Sequence, residues 1–416
     1  MRILMIGHAC GPDVGSEPGN TWNLATNLAA QHEVWVLTQA QHRDTIEQAL
    51  ASAPNPRLRI IYVKINPDPW NPATGERRIR LHYLLWQRKA AKEARRLCAS
   101  THFDVIHHFS LGTVKSPPHL RNMPAPVVWG PMGGGQTMPP GFSRYFKGQL
   151  GQEYFRIALI KMLPFLPSLP LVPSLRRMVK ESAVVLANNR ETVRLLKAAG
   201  AQQVDLLLDS AIPASSLIDQ PQARGDRKEL NVFWAGRMER RKTLQLGLEA
   251  LAQTQMPIRM RIAGGGDMRE PYEAESRRLG LADRVEFLGR VPFPKMAQYF
   301  READIFLFTS LRDSSGNVLL EAAARALPVL ALDHQGVGAM VPNSASIKVP
   351  VTTPEQVTRE LAQAMDQLAR SPELRQSLAA GALAWARENT WQMRAQQMIG
   401  FYEKAIALGP SSQRRS

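Results

Sequence analysis

Thr309-Ser-Leu-Arg-Asp-Ser-Ser-Gly-Asn-Val-Leu-Leu-Glu-Ala-Ala-Ala-Arg-Ala-Leu-Pro328 follows an apolar run, Ala303 to Phe308, and decides the reading of the whole chain. The run reads as a buried parallel strand. The small-residue segment after it reads as a helix stopped at Pro328, which has no N–H to continue the ladder. Asp313 and Glu321 bracket Ser315, Gly316, Asn317 and Val318, which stand where that helix should begin. Free backbone N–H groups and the positive end of the helix dipole gather there, and they suit a phosphate. A surface Asp and a helix-face Glu of any α/β protein fit the same letters.

Working outward, the 416 residues are too many for one ordinary core and suit two domains. Hydrophobic residues make up 44%, enough for packed globular units. The two cysteines, Cys10 and Cys98, have neither metal nor redox spacing, which fits a reducing cytosol. The formal charge of +16 implies an anionic partner or serves solubility. The basic residues are spread through both halves and form no nucleic-acid module, so nucleic acid is not expected. Met1 to Ile6 lacks the apolar length of a signal peptide. Prolines 164, 167 and 170 and Lys161 interrupt the Leu-rich stretch 155–172, so no spanning helix is expected. We expect a cytoplasmic protein.

From the amino end, Arg2 to Ile6 reads as a first strand, followed by a Gly/Pro-rich loop from Gly7 to Gly19, a helix from about Asn20 to Ala30, and a second strand, His32 to Thr38. This is a Rossmann-like beginning with its loop where ligands bind, although Gly-x-Gly-x-x-Gly is absent. Further strands are expected at 103–109, ending in His107-His108-Phe109, at 127–129 before the triple glycine 133–135, and at 183–187. The triple glycine permits close backbone approach to a ligand, or is a plain connection. A helix from Glu76 to Cys98 carries Arg77, Arg78, Arg80, Arg88, Lys89, Lys92, Arg95 and Arg96 among Tyr83, Leu84, Leu85 and Trp86. Such a helix can lie on an anionic membrane surface, and it can equally be core-packed with a solvated face. In the second half, strands are expected at 230–235, 258–263, 285–288 and 328–332. The first of these runs into Gly236-Arg237 with Lys242 beyond, the second into Gly264-Gly265-Gly266, and the third into Gly289-Arg290-Val291-Pro292.

Asp313 to Glu321 resembles the Glu-x7-Glu signature of the family 4 retaining glycosyltransferases, the glycosyl transferases group 1, and the other three second-half elements follow in that family's order. Asp313 stands where the family usually has Glu, one methylene longer. The resemblance implies an α/β, GT-B architecture of two Rossmann-like domains facing each other across a donor/acceptor cleft. The acceptor domain would cover 1–208, completed by a closing helix at about 391–408, and the donor domain 209–390. Residues 409–416 are expected to be a disordered tail.

The implied function is transfer of a sugar from a nucleotide-diphosphate sugar to an acceptor hydroxyl, with retention, in surface polysaccharide or glycolipid synthesis. By position, Glu321 would hold the donor ribose and Asp313 would meet the donor sugar. Amides of Ser315, Gly316, Asn317 and Val318 would hold the diphosphate, and Arg237 and Lys242 would neutralise the charge it gains on leaving. Gly236 and Gly264 would shape the turns, and backbone at Arg290 and Val291 would read the base. In the first domain, Gly15 and Ser16 would approach the donor phosphate and the acceptor. His108 takes the place near the reacting carbon, with His107 a buried partner; a structural role for both remains open.

No metal site and no cofactor beyond the donor, a UDP- or GDP-sugar, are implied. The acceptor would be a sugar, a lipid-linked intermediate or a small molecule. The basic helix adds an anionic membrane surface on the cytoplasmic side as a further partner. A nucleotide-sugar epimerase of the same fold and a non-catalytic membrane-surface binder are the alternative readings.

Overall fold

The structure is a computed structural model that describes residues 1–65, 76–170, 172–221, 229–314 and 316–415; for 76–80, 293–294 and 415 it describes the backbone alone. The chain divides into two compact units, Met1–Gly135 with Ala158–Ser210 and Trp391–Ser416, and Gln136–Ile157 with Ala211–Thr390.

The first unit is built on seven parallel strands: β1 Arg2–Gly7, β2 Glu33–Thr38, β3 Leu58–Tyr62, β4 Val105–Ser110, β5 Val127–Met132, β6 Ser182–Ala187 and β7 Asp205–Leu206. Their order is β3-β2-β1-β4-β5-β6-β7, so the direction of progression reverses between β1 and β4. Every residue of β4 and β5 is buried, as expected of a parallel sheet covered on both faces. Leu4, Ile6, Trp86, Ile106, Trp129 and Leu196 belong to one continuous core. The closing helix, Trp391–Leu408, packs beside the helix Ser16–Leu28 of this unit.

The second unit carries six parallel strands: β8 Leu230–Ala235, β9 Ile258–Ala263, β10 Val285–Gly289, β11 Ile305–Phe308, β12 Val329–Asp333 and β13 Ser346–Pro350. Their order is β10-β9-β8-β11-β12-β13. Here the reversal lies between β8 and β11, and it places the Arg237 to Lys242 loop beside the loop that contains Asp313. Trp234, Ile262, Leu307, Leu330 and Met365 lie in its core.

Two expectations differ from this arrangement. Residues 136–157, expected in the first domain, group with the second unit, because Met138, Phe142, Tyr145 and Phe146 are buried in its core. The Arg144 guanidinium donates there to Glu355 at 2.6 Å and the Tyr145 hydroxyl to Glu249 at 2.7 Å. The segment 409–416, expected to be a disordered tail, is held as far as Arg414. Ser411 is buried and donates to Glu181 at 2.6 Å, and the Arg414 guanidinium donates to the carbonyls of Ser182 and Glu181.

Among the described residues no helix is long and apolar enough to cross a membrane.

Candidate active site

In the second unit, three strand-end loops lock together through their backbones. The Gly236 N–H donates to Ala263 O at 3.0 Å, Gly264 N–H to Gly289 O at 2.7 Å, and Met238 N–H to Gly265 O at 2.9 Å. This approach is closer than a side chain allows. Gly264 has φ +138°, and a Cβ on it would stand 1.9 Å from Gly236 O. The Arg290 side chain lies over Gly265, with its Cγ 3.3 Å from where a Gly265 Cβ would be. Gly236, Gly264, Arg290 and Val291 therefore gather along one edge, the carboxyl ends of β8, β9 and β10.

The basic element meets the acidic loop across the β8/β11 junction. The Thr309 hydroxyl accepts from Trp234 Nε1 at 3.2 Å and donates to Lys242 O at 3.0 Å, tying the two strand ends. The Leu311 N–H donates to Arg241 O at 3.0 Å. Beyond this, the Lys242 ammonium bonds the Asp313 carboxylate directly, and Arg241 Nη1 lies 3.4 Å from its other oxygen. Lys242 Nζ also sits 5.2 Å from the centre of the Phe308 ring. Burial alone would raise the Asp313 pKa, but Lys242 and Arg241 outweigh it and hold the carboxyl below its ordinary value. Asp313 is thus a fixed anion and Lys242 a fixed cation.

Arg237 is placed differently. Its side chain is 67% exposed and pairs with Glu239 at 3.0 Å, so it stands at the rim. Gly316 takes φ +76° at the start of the helix Asn317–Ala323, the conformation that favours glycine. Asn317 and Val318 form its first turn, and Glu321 lies in the same helix. Burial raises the Glu321 pKa, with Arg325 opposing. Ser315 lies outside the described residues.

Two contributors were not read from the sequence. Arg241 stands in a visible basic run, but only the fold shows that it shares Asp313 with Lys242. Gln335 is buried at φ +54°, accepts from Asp313 N–H at 2.8 Å, and donates to Thr137 O at 2.8 Å. It links the acidic loop to the 136–157 segment of the same unit, and no local signal in the sequence marks it.

In the first unit, Gly15 caps the helix Ser16–Leu28 and Ser16 takes φ +63°. The loop before them closes on itself, with Gly11 N–H donating to Pro18 O at 3.1 Å. Successive strand residues point to opposite faces, and the adjacent histidines separate accordingly. His107 bonds Gly130 O at 2.6 Å and the Tyr402 hydroxyl at 2.7 Å. His108 is 2% exposed on the other face, lining a small interior space with Gln87 and Ala91, and neither ring nitrogen has a partner. Burial, then the neighbouring His107, pushes it down to about 3, so it is neutral near pH 7. Its placement inside this layer does not support the sugar contact that the resemblance gives it.

Glu17, the residue after Ser16, was also missed. Its Oε1 accepts from Gly112 N–H at 3.4 Å. Burial, then the charge of Asp209, raises its pKa to about 7. A raised carboxyl pKa means that the folded state binds more protons than the unfolded state between the ordinary value of 4.5 and 7. Stability associated with this group therefore falls as pH rises through that window. The Glu17→Gln variant is expected to gain stability relative to the wild type from about pH 4.5 to 7. Urea midpoints measured along the pH range check this, and parallel curves would contradict it.

Among the described residues, no group of three or more His, Cys, Asp or Glu side chains could hold a metal ion.

Known proteins resemble this chain in sequence and in fold. Residues 229–371 match the family model described as glycosyl transferases group 1. The chain is 30% identical over 250 residues to a D-inositol 3-phosphate glycosyltransferase of Jonesia denitrificans, covering 55% of this chain and 58% of that protein. It is 28% identical over 261 residues to the enzyme of the same name from Rhodococcus erythropolis, covering 57% and 58%. The matches thus span little more than half the length of these curated relatives.

Among solved structures, sucrose-phosphate synthase from Thermosynechococcus elongatus is similar with a TM-score of 0.65, 18% identity, and 98% and 99% of the two chains covered. Anabaena HepE in complex with UDP and glucose is similar with a TM-score of 0.58, 18% identity, and 96% and 98% covered. These two likenesses establish the fold over nearly the entire chain. The 229–371 segment thus matches the glycosyl transferases group 1, and the chain, with its two Rossmann-like units, has the α/β, GT-B fold.

Proposed function

We propose that the protein is a retaining, metal-independent glycosyltransferase that moves a sugar from a nucleotide-diphosphate sugar to an acceptor hydroxyl. The observation that carries this reading is the Lys242–Asp313 pair at the β8/β11 switch point, within the segment matched by the family model. Cleaving a sugar–nucleotide bond leaves a diphosphate whose negative charge grows in the transition state. A lysine already fixed by Asp313 and the Phe308 ring can meet that charge with little reorganisation. Arg237, at the rim of the same loop, and the first amides of the helix 317–323 supply further positive potential. Glu321 would hold the ribose, and Asp313 would orient the sugar while anchoring Lys242.

The donor we propose is a UDP- or GDP-sugar; support for a nucleotide comes from the gathered backbone at Gly264 and Gly289, which leaves a strand-end edge to meet a base. The acceptor we propose is a lipid-linked intermediate or glycolipid of a surface polysaccharide, glycosylated on the cytoplasmic side. Support for this is the basic helix 76–100 of the first unit.

Incubation with UDP- and GDP-sugars and lipid acceptors, with the product linkage read by NMR, tests the function. Nucleoside diphosphate release that depends on acceptor, with the anomeric configuration kept, is the expected result. Inversion would overturn the retaining mechanism. Conversion of the donor with no acceptor present would indicate an epimerase.

A further inference from the structure

The first unit carries a groove of about 1240 Å³ that the transfer chemistry does not use. One wall is the helix Glu76–Ser100, and the others are the segments around Pro118–Arg121 and Ser168–Met178. The latter two lead into the amino ends of β5 and β6, Ile65 beyond β3 completes the lining, and neither Gly15 nor Ser16 is among the described lining residues. A second recess of about 490 Å³ shares Arg121 and Arg177 with it.

Six cationic side chains line the groove: Arg88, Lys89, Lys92, Arg95, Arg121 and Arg177. No carboxylate is among its described lining residues. Arg95 is engaged structurally, donating to His119 O at 2.9 Å, and so fixes one wall. Arg88, Lys89 and Lys92 are exposed and make no ion pair among the described residues, in contrast to Arg96, which pairs with Glu93 on the same helix. Concentrating like charges without counter-charges costs folding free energy, and an anionic partner offsets it.

The rim says what kind of anion this is. Phe165 is 65% exposed, Leu169 62%, Met162 55% and Leu166 36%, all within one short stretch that begins at the end of the helix Leu150–Met162. Arg176 stacks on Phe165 with its guanidinium carbon 5.3 Å from the ring centre, so charge and apolar surface adjoin. A free phosphate would call for the cations alone. Cations beside a cluster of exposed apolar side chains match the boundary between headgroups and acyl chains.

We propose that this groove and its rim dock the protein on a bilayer, with the groove taking phosphate-bearing anionic lipid headgroups and Met162, Phe165, Leu166 and Leu169 entering the acyl boundary. The inference rests on the first unit alone and stands whether or not the donor chemistry is as proposed.

Co-sedimentation of the full chain with vesicles of phosphatidylcholine alone, or with about 30% phosphatidylglycerol, tests it. Binding is expected only to the anionic vesicles, and it should weaken as salt rises. The double reversal Arg88→Glu/Lys92→Glu should bind about tenfold more weakly or worse. Arg194→Glu/Lys197→Glu, an equal charge change on another exposed helix, should bind as the wild type does. Phe165→Ser/Leu169→Ser should also weaken binding, which a purely electrostatic contact would not show.

Circular dichroism spectra and melting temperatures that match the wild type would show that the first unit is folded in every variant. Absence of wild-type binding to anionic vesicles, or equal binding by the Arg88/Lys92 variant, would overturn the proposal. So would calorimetric binding of inorganic phosphate, lost in that variant, in a protein that ignores vesicles; this would make the groove a site for a soluble anion.

Discussion

Replacing Lys242 by methionine is expected to lower kcat/KM for the nucleotide sugar by about 100-fold to 1,000-fold, the range seen when one preorganised charge-stabilising donor is removed from an active site. The methionine keeps most of the side-chain volume and its contact with Phe308, so the loss reports charge. The same change leaves Asp313, whose side chain is only 14% exposed, with Arg241 at 3.4 Å as its remaining cation. A stability cost of about 1–3 kcal/mol follows from the partly unpaired carboxylate.

The pH dependence gives an independent readout. The Asp313 pKa is depressed from 3.8 in the folded state, so its contribution to stability is present above that value and is lost as pH falls through the lower, folded one. Without Lys242 the folded pKa rises, and the acid loss attributable to Asp313 shrinks or changes sign. Steady-state kinetics and denaturation midpoints from pH 7 down to about pH 3 check both effects. An Arg241→Met variant should lose less activity, because Arg241 is the more distant cation.

Gly264→Ala is expected to cost the second unit about 4 kcal/mol or more, or to prevent its folding. Two effects add. A φ of +138° is hard for any residue with a Cβ, and the new Cβ would stand 1.9 Å from the backbone oxygen of Gly236, which cannot rotate away. Relief would require moving the β8 loop, and with it Arg237 and Lys242, so donor binding should fall in whatever protein does fold. Gly265→Ala is the control. Its Cβ would meet only the flexible Arg290 side chain, at 3.3 Å, so a change within about 1 kcal/mol is expected. Thermal unfolding of the two variants separates a backbone contact from mere glycine content.

In the second unit, β8, β11 and β12 were legible as nearly unbroken buried runs, and β9 and β10 as short alternating runs that lead into glycine. Leu230 to Ala235 and Ile258 to Ala263 were read with the bounds that the structure gives. β3 and β13 are edge strands with half-exposed patterns and lack the closing glycine that marked β10, an edge strand that was read; β13 also contains Lys348 and ends at Pro350. The grouping of residues 136–157 escaped for another reason. The sequence shows that Phe142 and Phe146 are apolar, but which core receives them is a tertiary fact.

The site divides along the same line. Order and spacing pointed to Arg237, Lys242, Asp313 and Glu321, yet the Lys242–Asp313 contact joins residues 71 apart and exists only because β8 and β11 are neighbours. Glu17 and Gln335 act through burial and backbone geometry, which leave no spacing signature.

Saturation-transfer NMR against UDP-, GDP-, ADP- and dTDP-sugars, on the wild type and on Glu321→Ala, tests the central claim most directly. Glu321 lies in the helix capped by Gly316, three residues beyond the Lys242-bound Asp313, so it should be needed for nucleotide binding without being needed for the fold. Selective transfer to one nucleotide sugar that disappears in Glu321→Ala is the predicted result. Absence of any nucleotide binding by the wild type, or equal binding by the variant, would contradict a nucleotide-sugar site at the carboxyl ends of β8 and β11.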